Sequence, residues 1–338
     1  MAQVFAFGRD DLARIRFTVS PLWEVMSALR VLVEPPRRAY HLPWLDAVRP
    51  DLDQLDLTPL LLLSPRSGWT PDFLSPVRAG PDATITGELA RVRDTPAEQV
   101  AYEVRRSLTQ RSGAPVPEAA WRLLDDPLAT RALLADLLER CWQLLIAPHW
   151  PRLRDLLDAD LAFRAQTLAD HGLERMLGDL HPRVRWTDHA LVIDEAPAAR
   201  CQLRGSGLLL MPSVFAWPSL AAVIDPPAHP ALVYPARGIA ELWQPARTPH
   251  SGALARLLGR TRAALLESLA EPASTHTLAS RHEIAPSTVS EHLAALRDAR
   301  LVICRRHRHA VLYQRTPLGT ELAAGGHQQP PGEKTANR

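Results

Sequence analysis

The 338-residue sequence predicts a mainly α-helical fold with a small β-rich section, closed by a C-terminal module of short helices and a basic hairpin. Three observations predict it. Apolar residues recur at helical spacing in several stretches before residue 180. Between His181 and Leu242 the texture changes to alternating runs cut by prolines. After Ala253 helical patterns return, then yield to two short alternating runs with arginines and histidines between them.

Ser20-Pro21 starts the first helix. Serine is a good N-cap, and the fixed φ of proline suits the first helical position. Leu22, Val25, Met26, Leu29 and Leu32 follow at helical spacing. The proline-rich "VEPPRRAYHLP" ends it, and short helices and loops continue to about Pro81. Helices are predicted again over Thr95–Gln110, over Pro127–Leu145 with its Leu133, Leu134, Leu137, Leu138 and Leu144 stripe, and over Pro151–Leu180. "HPRVRWTDHALVIDE" alternates around a polar turn at Thr187-Asp188 and predicts a β-hairpin. "GLLLMPSVFAW", "AAVID" and "ALVYPARG" predict further short strands. Their prolines cannot donate to a ladder, which points to edge strands or extended loops. The divisions are then a helical region 1–180, a β-rich section 181–243, a linker 244–252, the C-terminal module 253–324 and a disordered tail 325–338.

Composition is that of a globular chain, 46% hydrophobic and 22% charged, which excludes disorder along its whole length. The net charge of +2 is unevenly spread. Residues 251–324 hold ten arginines against six acidic residues, whereas 1–250 hold 27 against 30. A basic C-terminal module on a slightly acidic body is the electrostatic footprint of a nucleic-acid binder. Three cysteines, Cys141, Cys201 and Cys304, form no CxxC pair and fit a reducing cytosol. The N-terminus lacks a signal-peptide apolar run, and "PLLLLSP" is too short to span a bilayer. The expectation is a cytoplasmic protein without a membrane partner.

Within the module, "ALARLLGRTRAALLESLA" reads as one helix, "HTLASRHEI" as a short second helix and "TVSEHLAALRDAR" as a third. Val289, Leu293 and Leu296 fall at i, i+4 and i+7, so one face is buried. Thr288, Glu291, Ala294, Ala295 and Arg297 lie off that stripe, with Ser290 and His292 at its flanks. Two strands, "LVICR" and "AVLYQR", follow, with Arg306, His307, Arg308 and His309 between them. Two helices joined by a tight turn and then a basic hairpin make a winged helix-turn-helix, whose second helix enters the major groove of double-stranded DNA. Ser287, Thr288, Ser290, Glu291 and His292 are then the candidates for base or nearby phosphate contact. Arg297, Arg305, Arg306 and Arg308 are the candidates for phosphates.

"STVSEHLAALRDARLV" followed by "RRHRHAVLYQRTPLG" resembles the recognition helix and wing of ArsR-type regulators, through Val289, Ser290, His292, Leu293, Leu296, Ala299, Leu301, Val302 and Tyr313. The upstream "RAQTLADHGLERMLGDLHPRVRW" and "PSVFAWPSLAAVIDPPAHPALVYPARGIAELW", with the opening "FGRDDLARIRFTVSPLWEVMSALR", resemble the large uncharacterised N-terminal region of an actinobacterial subgroup of those regulators. The resemblance implies a homodimeric repressor of transcription. Three departures stand out. Arg300 occupies the helix-ending glycine position, and a non-glycine left-handed cap costs about 1 kcal/mol, which points to a different ending. Ala285 stands at the N-cap, with Thr288-x-x-Glu291 offering a capping box one turn later. The usual wing glycine is absent, which points to a longer or looser wing.

Other chemistry is poorly supplied. Cys304, His307 and His309, with His276 and His282, are the nearest approach to a metal set, but strand packing and a basic hairpin explain them more simply. His171 and Glu174 lack the second copy that a two-metal helix motif needs. Gly205-Ser206-Gly207 lacks a nucleophile-elbow pattern. The expectation is therefore no catalytic residue, no metal and no cofactor. The competing reading makes the N-terminal region a small-molecule sensor or enzyme, with the winged helix serving protein contacts. On that reading Trp186, Trp217 and Trp243 would line an effector pocket; core packing is the simpler role for them.

Overall fold

The computed structural model describes residues 2–34, 40–65, 68–77, 83–110, 116–187, 189–243, 252–307 and 310–325. The Arg308, His309 and Asp188 assignments, the linker at 244–251 and the tail at 326–338 lie outside them. The chain divides into two compact units, Met1–Trp243 and Gln244–Arg338. The first is mainly helical with two small sheets; the second is a winged helix-turn-helix.

In the first unit α1 spans Pro21–Val33, and the Ser20 Oγ accepts from the Trp23 amide at 3.0 Å, as its sequence predicts. It is followed by α2 (Leu42–Leu52), α3 (Thr58–Leu63), α4 (Ile85–Arg93), α5 (Ala97–Thr109), α6 (Glu118–Trp121), α7 (Pro127–Cys141), α8 (Trp150–Gly178) and, after the strands, the short α9 (Ile239–Leu242). Leu22, Leu29, Trp44, Leu60, Leu134 and Leu138 are fully buried in one shared core. Gly172, at φ 82° and ψ 176°, breaks α8 near its end. The break falls between His171 and Glu174, so their i, i+3 spacing does not put them on one helix face.

The first sheet has strand order β3-β4-β1-β5, built from β1 (Ala2–Ala6), β3 (Val184–Thr187), β4 (Ala190–Asp194) and β5 (Ala199–Gln202). The predicted hairpin is β3–β4, paired antiparallel from Val184–Ile193 to Thr187–Ala190. The second sheet has order β2-β6-β8-β7, from β2 (Arg16–Phe17), β6 (Leu209–Ser213), β7 (Ala221–Val223) and β8 (Ala231–Pro235). The two sheets share a core of Phe5, Leu191, Ile193, Leu210, Leu232 and Tyr234, closed by Met176 and Leu177 of α8.

Two expectations about this section are corrected. The N-terminal segment contributes a strand to each sheet. Also, β6 and β8 are inner, parallel and buried strands despite Pro212 and Pro235. The ladder explains the tolerance. Leu209 donates to Pro230 and Ser213 accepts from Ala236 on the β8 side, while Leu210 accepts from Thr18 on the β2 side. Successive residues alternate sides, so the missing Pro212 N–H faces the β2 side, beyond the end of that two-residue strand.

Buried carboxylates tie these segments together through backbone amides. Glu24 of α1 accepts from the amides of Val214 and Phe215 just after β6, at 3.1 and 3.4 Å. Glu88 of α4 accepts from Leu22 at 2.8 Å. Asp11 holds Gly8 at 2.7 Å and Gly207 at 2.9 Å. The Gly205-Ser206-Gly207 stretch is the turn that this carboxylate grips. Gly207 has φ 73°, and a Cβ there would lie 2.3 Å from the Arg14 carbonyl oxygen, so only glycine fits.

Candidate nucleic-acid interface

The second unit starts with α10 (Gly252–Leu258) and α11 (Arg260–Ser268). The single helix read from "ALARLLGRTRAALLESLA" is two, because Gly259 turns the chain at φ 83° and ψ 152°. Next come β9 (Ala273–Ser274), α12 (Thr275–His282) and α13 (Pro286–Asp298), then β10 (Val302–His307), β11 (Ala310–Arg315) and α14 (Pro317–Gly325). β9 and α14 have no clear signal in the sequence. β9 is two residues long and exists only by pairing with Leu312 and Tyr313 of β11.

The helix-turn-helix is α12 and α13. Ser274 caps α12, its Oγ accepting from the Thr277 amide at 3.1 Å. Glu283 then takes a left-handed conformation, φ 54° and ψ 39°, and turns the chain out of the helix. Pro286 opens α13 with Ala285 as N-cap and no side-chain cap. The helix begins one turn before Thr288, so no capping box forms there. Val289, Leu293 and Leu296 are buried among Leu265, Leu266, Leu269 and Leu278.

That burial divides the predicted contact residues. Ser287, Ser290, Glu291 and Arg297 are exposed, while Thr288 and His292 are half-buried at the edge of the packed face. The Ser290 hydroxyl donates to the Pro286 carbonyl at 2.9 Å, so it offers lone pairs outward and has its proton turned into the helix.

The end of α13 corrects another expectation. Arg300 adopts the left-handed conformation at φ 57°. Its amide donates to Arg297 at 2.8 Å, and the Leu301 amide donates to Leu296 at 2.9 Å. This is the Schellman arrangement that glycine usually closes, and the accompanying apolar contact is between Leu301 and Leu296 in the same core.

The hairpin pairs in register from Val302–Arg315 to His307–Ala310. Residues 308 and 309, between the last paired positions, lie outside the described residues. Arg305 and Arg306 are both exposed. Neighbouring strand residues point to opposite faces, so Arg305 shares a face with Leu312 and Arg306 with Val311.

Supports not singled out from the sequence hold this frame. Arg315 donates Nε to the Leu266 carbonyl at 2.7 Å and Nη2 to the Glu267 carbonyl, capping the end of α11. Arg281 donates to Ser268 at 3.2 Å at the same helix end. The Thr316 hydroxyl donates to Arg300 at 2.7 Å and accepts from Gly319 at 3.0 Å. A Cβ on Gly319 would stand 2.0 Å from the Leu301 carbonyl oxygen. These arginines look in sequence like the exposed ones; only the fold tells them apart.

Of the metal candidates, Cys304 is exposed on β10, and the His282 Nε2 lies 2.7 Å from the Ser268 Oγ. Burial, with Arg281 beside it, lowers the His282 pKa. No group of three or more His, Cys, Asp or Glu among the described residues is placed to hold a metal ion. No helix among them is long and apolar enough to cross a membrane.

Residues 260–303 match the bacterial regulatory protein family arsR, and residues 98–240 match a family of unknown function (DUF5937). No curated protein and no solved structure is significantly similar to the chain. The first match covers α11 through the start of β10, and so includes both helices of the helix-turn-helix. The chain therefore carries an ArsR-family helix-turn-helix domain at residues 260–303, preceded by a region that matches a family of unknown function, an arrangement consistent with an ArsR-type regulator with a large N-terminal region.

Proposed function

We propose that the chain is a cytoplasmic transcriptional repressor that binds operator DNA as a homodimer through α12, α13 and the β10–β11 hairpin. The observation that carries this is the two-sided character of α13. Val289, Leu293 and Leu296 lock it into the module, while Ser287, Ser290, Glu291 and Arg297 stay on its solvent side. Short polar side chains on an exposed helix suit base edges in the major groove. Ser287, Ser290 and Glu291, with Thr288 and His292 beside them, take the base or nearby phosphate contacts. Arg297, Arg305, Arg306 and Arg308 take phosphates, and the wing arginines can also enter a narrow minor groove. The activity is one of binding rather than turnover. Two copies of α13 in a dimer would reach successive major-groove turns about 34 Å apart.

Footprinting on the DNA upstream of the protein's own gene tests this. The expected result is two protected half-sites one helical turn apart, lost in an S287A/E291A double variant that folds normally. Protection of any DNA without sequence preference, or protection unaltered in that variant, contradicts the assignment of α13.

A further inference from the structure

We propose that the N-terminal unit binds a neutral, flat aromatic molecule in the cleft where α8 faces the segments leaving β6 and β8. The cleft encloses about 490 Å³, and Phe163, Leu180, Trp217, Pro218 and Pro235 give it a mostly apolar wall. That volume and that lining suit a small organic ligand. This goes beyond DNA recognition and stands on the first unit alone.

The charge of the walls sets the class of ligand, because the titratable side chains that line the cleft are already engaged. Arg164 pairs with the buried Asp160 at 3.6 Å and donates Nη1 to the Asp179 carbonyl at 2.8 Å. Asp160 also accepts from the Tyr234 hydroxyl at 2.8 Å and the Arg237 amide at 3.2 Å. The Arg237 guanidinium carbon lies 3.4 Å from the Phe163 ring centroid, and the Asp179 carboxylate is held by the Arg175 Nε at 2.8 Å. The His181 Nδ1 accepts from the Arg183 amide at 3.1 Å, which leaves Nε2 to donate to the Pro218 carbonyl at 3.3 Å, so the ring is neutral. A cation entering the cleft would meet two guanidinium groups. An anion would compete with Asp160 for charge that is already matched. A neutral molecule meets neither obstacle and gains from leaving water.

The walls are also fixed before any ligand arrives. Glu24 holds the Val214 and Phe215 amides just ahead of Trp217, and the His181–Pro218 bond joins the segment after α8 to the segment after β6. The Tyr234–Asp160 bond ties β8 to α8. A preformed site loses little to ordering when it binds. Trp217 stands edge-on to Tyr40 with ring centroids 4.5 Å apart, so it is a rigid wall. Rigid ring walls at Phe163 and Trp217 favour another ring, in offset or edge contact, over a bulky aliphatic body.

Fluorescence titration of the full chain with N-phenyl-1-naphthylamine, a neutral aromatic probe that brightens on leaving water, tests this. The competitors are 2-naphthol, its anionic counterpart 2-naphthoate, and cyclohexanol, which is neutral but not flat. The expected result is saturable binding of one probe per chain, displaced by 2-naphthol at least about tenfold more effectively than by either other competitor. Trp217→Ala removes a ring wall and should weaken probe binding about tenfold, and Trp217→Phe should recover most of the loss. Pro182→Trp, at an exposed position on the cleft wall, should block binding and keep the wild-type Tm. Trp121→Ala removes an exposed ring on α6, away from the cleft lining, and should change nothing. The proposal is overturned by a signal that never saturates up to the solubility limit of the probe, or by displacement with 2-naphthoate or cyclohexanol as effective as with 2-naphthol. It is equally overturned if Trp217→Ala or Pro182→Trp, folded with the wild-type Tm, binds the probe undiminished, or if Trp121→Ala weakens binding as much as they do. No DNA enters the measurement, so its failure leaves the operator-binding reading untouched, and the reverse holds too.

Discussion

Arg300 shows a single residue held against its own preference. It sits at φ 57° because the Leu301 and Arg300 amides must close the end of α13. A left-handed residue with a Cβ costs about 1 kcal/mol relative to glycine. Arg300→Gly should therefore stabilise the full chain by up to about 1 kcal/mol in the transition that reports the second unit, less what glycine adds to unfolded-chain entropy. Unchanged or lower stability in denaturant unfolding would contradict the cap. Glu24 shows the same principle in charge. Burial pushes its carboxyl from the ordinary 4.5 up to about 8, and Glu88 rises to about 7 for the same reason. The folded chain then holds protons that an unfolded chain has released, so stability is full below pH 4.5 and is lost as pH rises through about 8. Glu24→Gln, which keeps a carbonyl acceptor for Val214, should flatten the fall of Tm between pH 5 and pH 8. A fall as steep as wild type would sink that account. Neither residue was legible in this role. Arg300 in place of glycine predicts a different ending for α13, because sequence shows a residue's preference and not the force that overrides it. Glu24 looked like any acidic residue in a first helical turn, since its amide partners lie about 190 positions away.

Among elements, legibility followed range. Helices with their own caps and stripes, such as α1 behind Ser20, could be read locally, and so could the β3–β4 hairpin around its turn. β1 and β2 could not, because a five-residue and a two-residue strand take their meaning from partners near residue 200. Pro212 misled for the same reason: its missing donor is harmless only because β2 stops short. Helix α13 was legible because its buried stripe and polar flank are both local. Two element-level outcomes are expected. Gly319→Ala must push α14 away from the Leu301 carbonyl and should lower stability by about 1–3 kcal/mol, as overpacking does. Chemical denaturation reads this, and a neutral effect would mean that the 2.0 Å approach relaxes freely. Arg305 and Arg306 lie on opposite faces of the wing, so Arg305→Ala and Arg306→Ala should weaken DNA binding unequally. Equal losses in fluorescence anisotropy would show that the hairpin docks without choosing a face.

At the scale of the molecule, the chain joins two units of different character. The first is a helical body with two sheets pinned by buried acidic side chains, and the second is a small arginine-rich winged helix-turn-helix. The uneven charge visible in the sequence belongs to that division. The central claim is that the second unit binds DNA through phosphate contacts as well as α13. It is tested most directly by the salt dependence of affinity for an operator fragment, measured by anisotropy for wild type and an R305A/R306A variant. The account predicts a log–log slope of about −0.9 per phosphate neutralised, and a slope shallower by about 1–2 in the variant, whose affinity also falls. Affinity indifferent to salt, or a variant indistinguishable from wild type at every salt concentration, would contradict it.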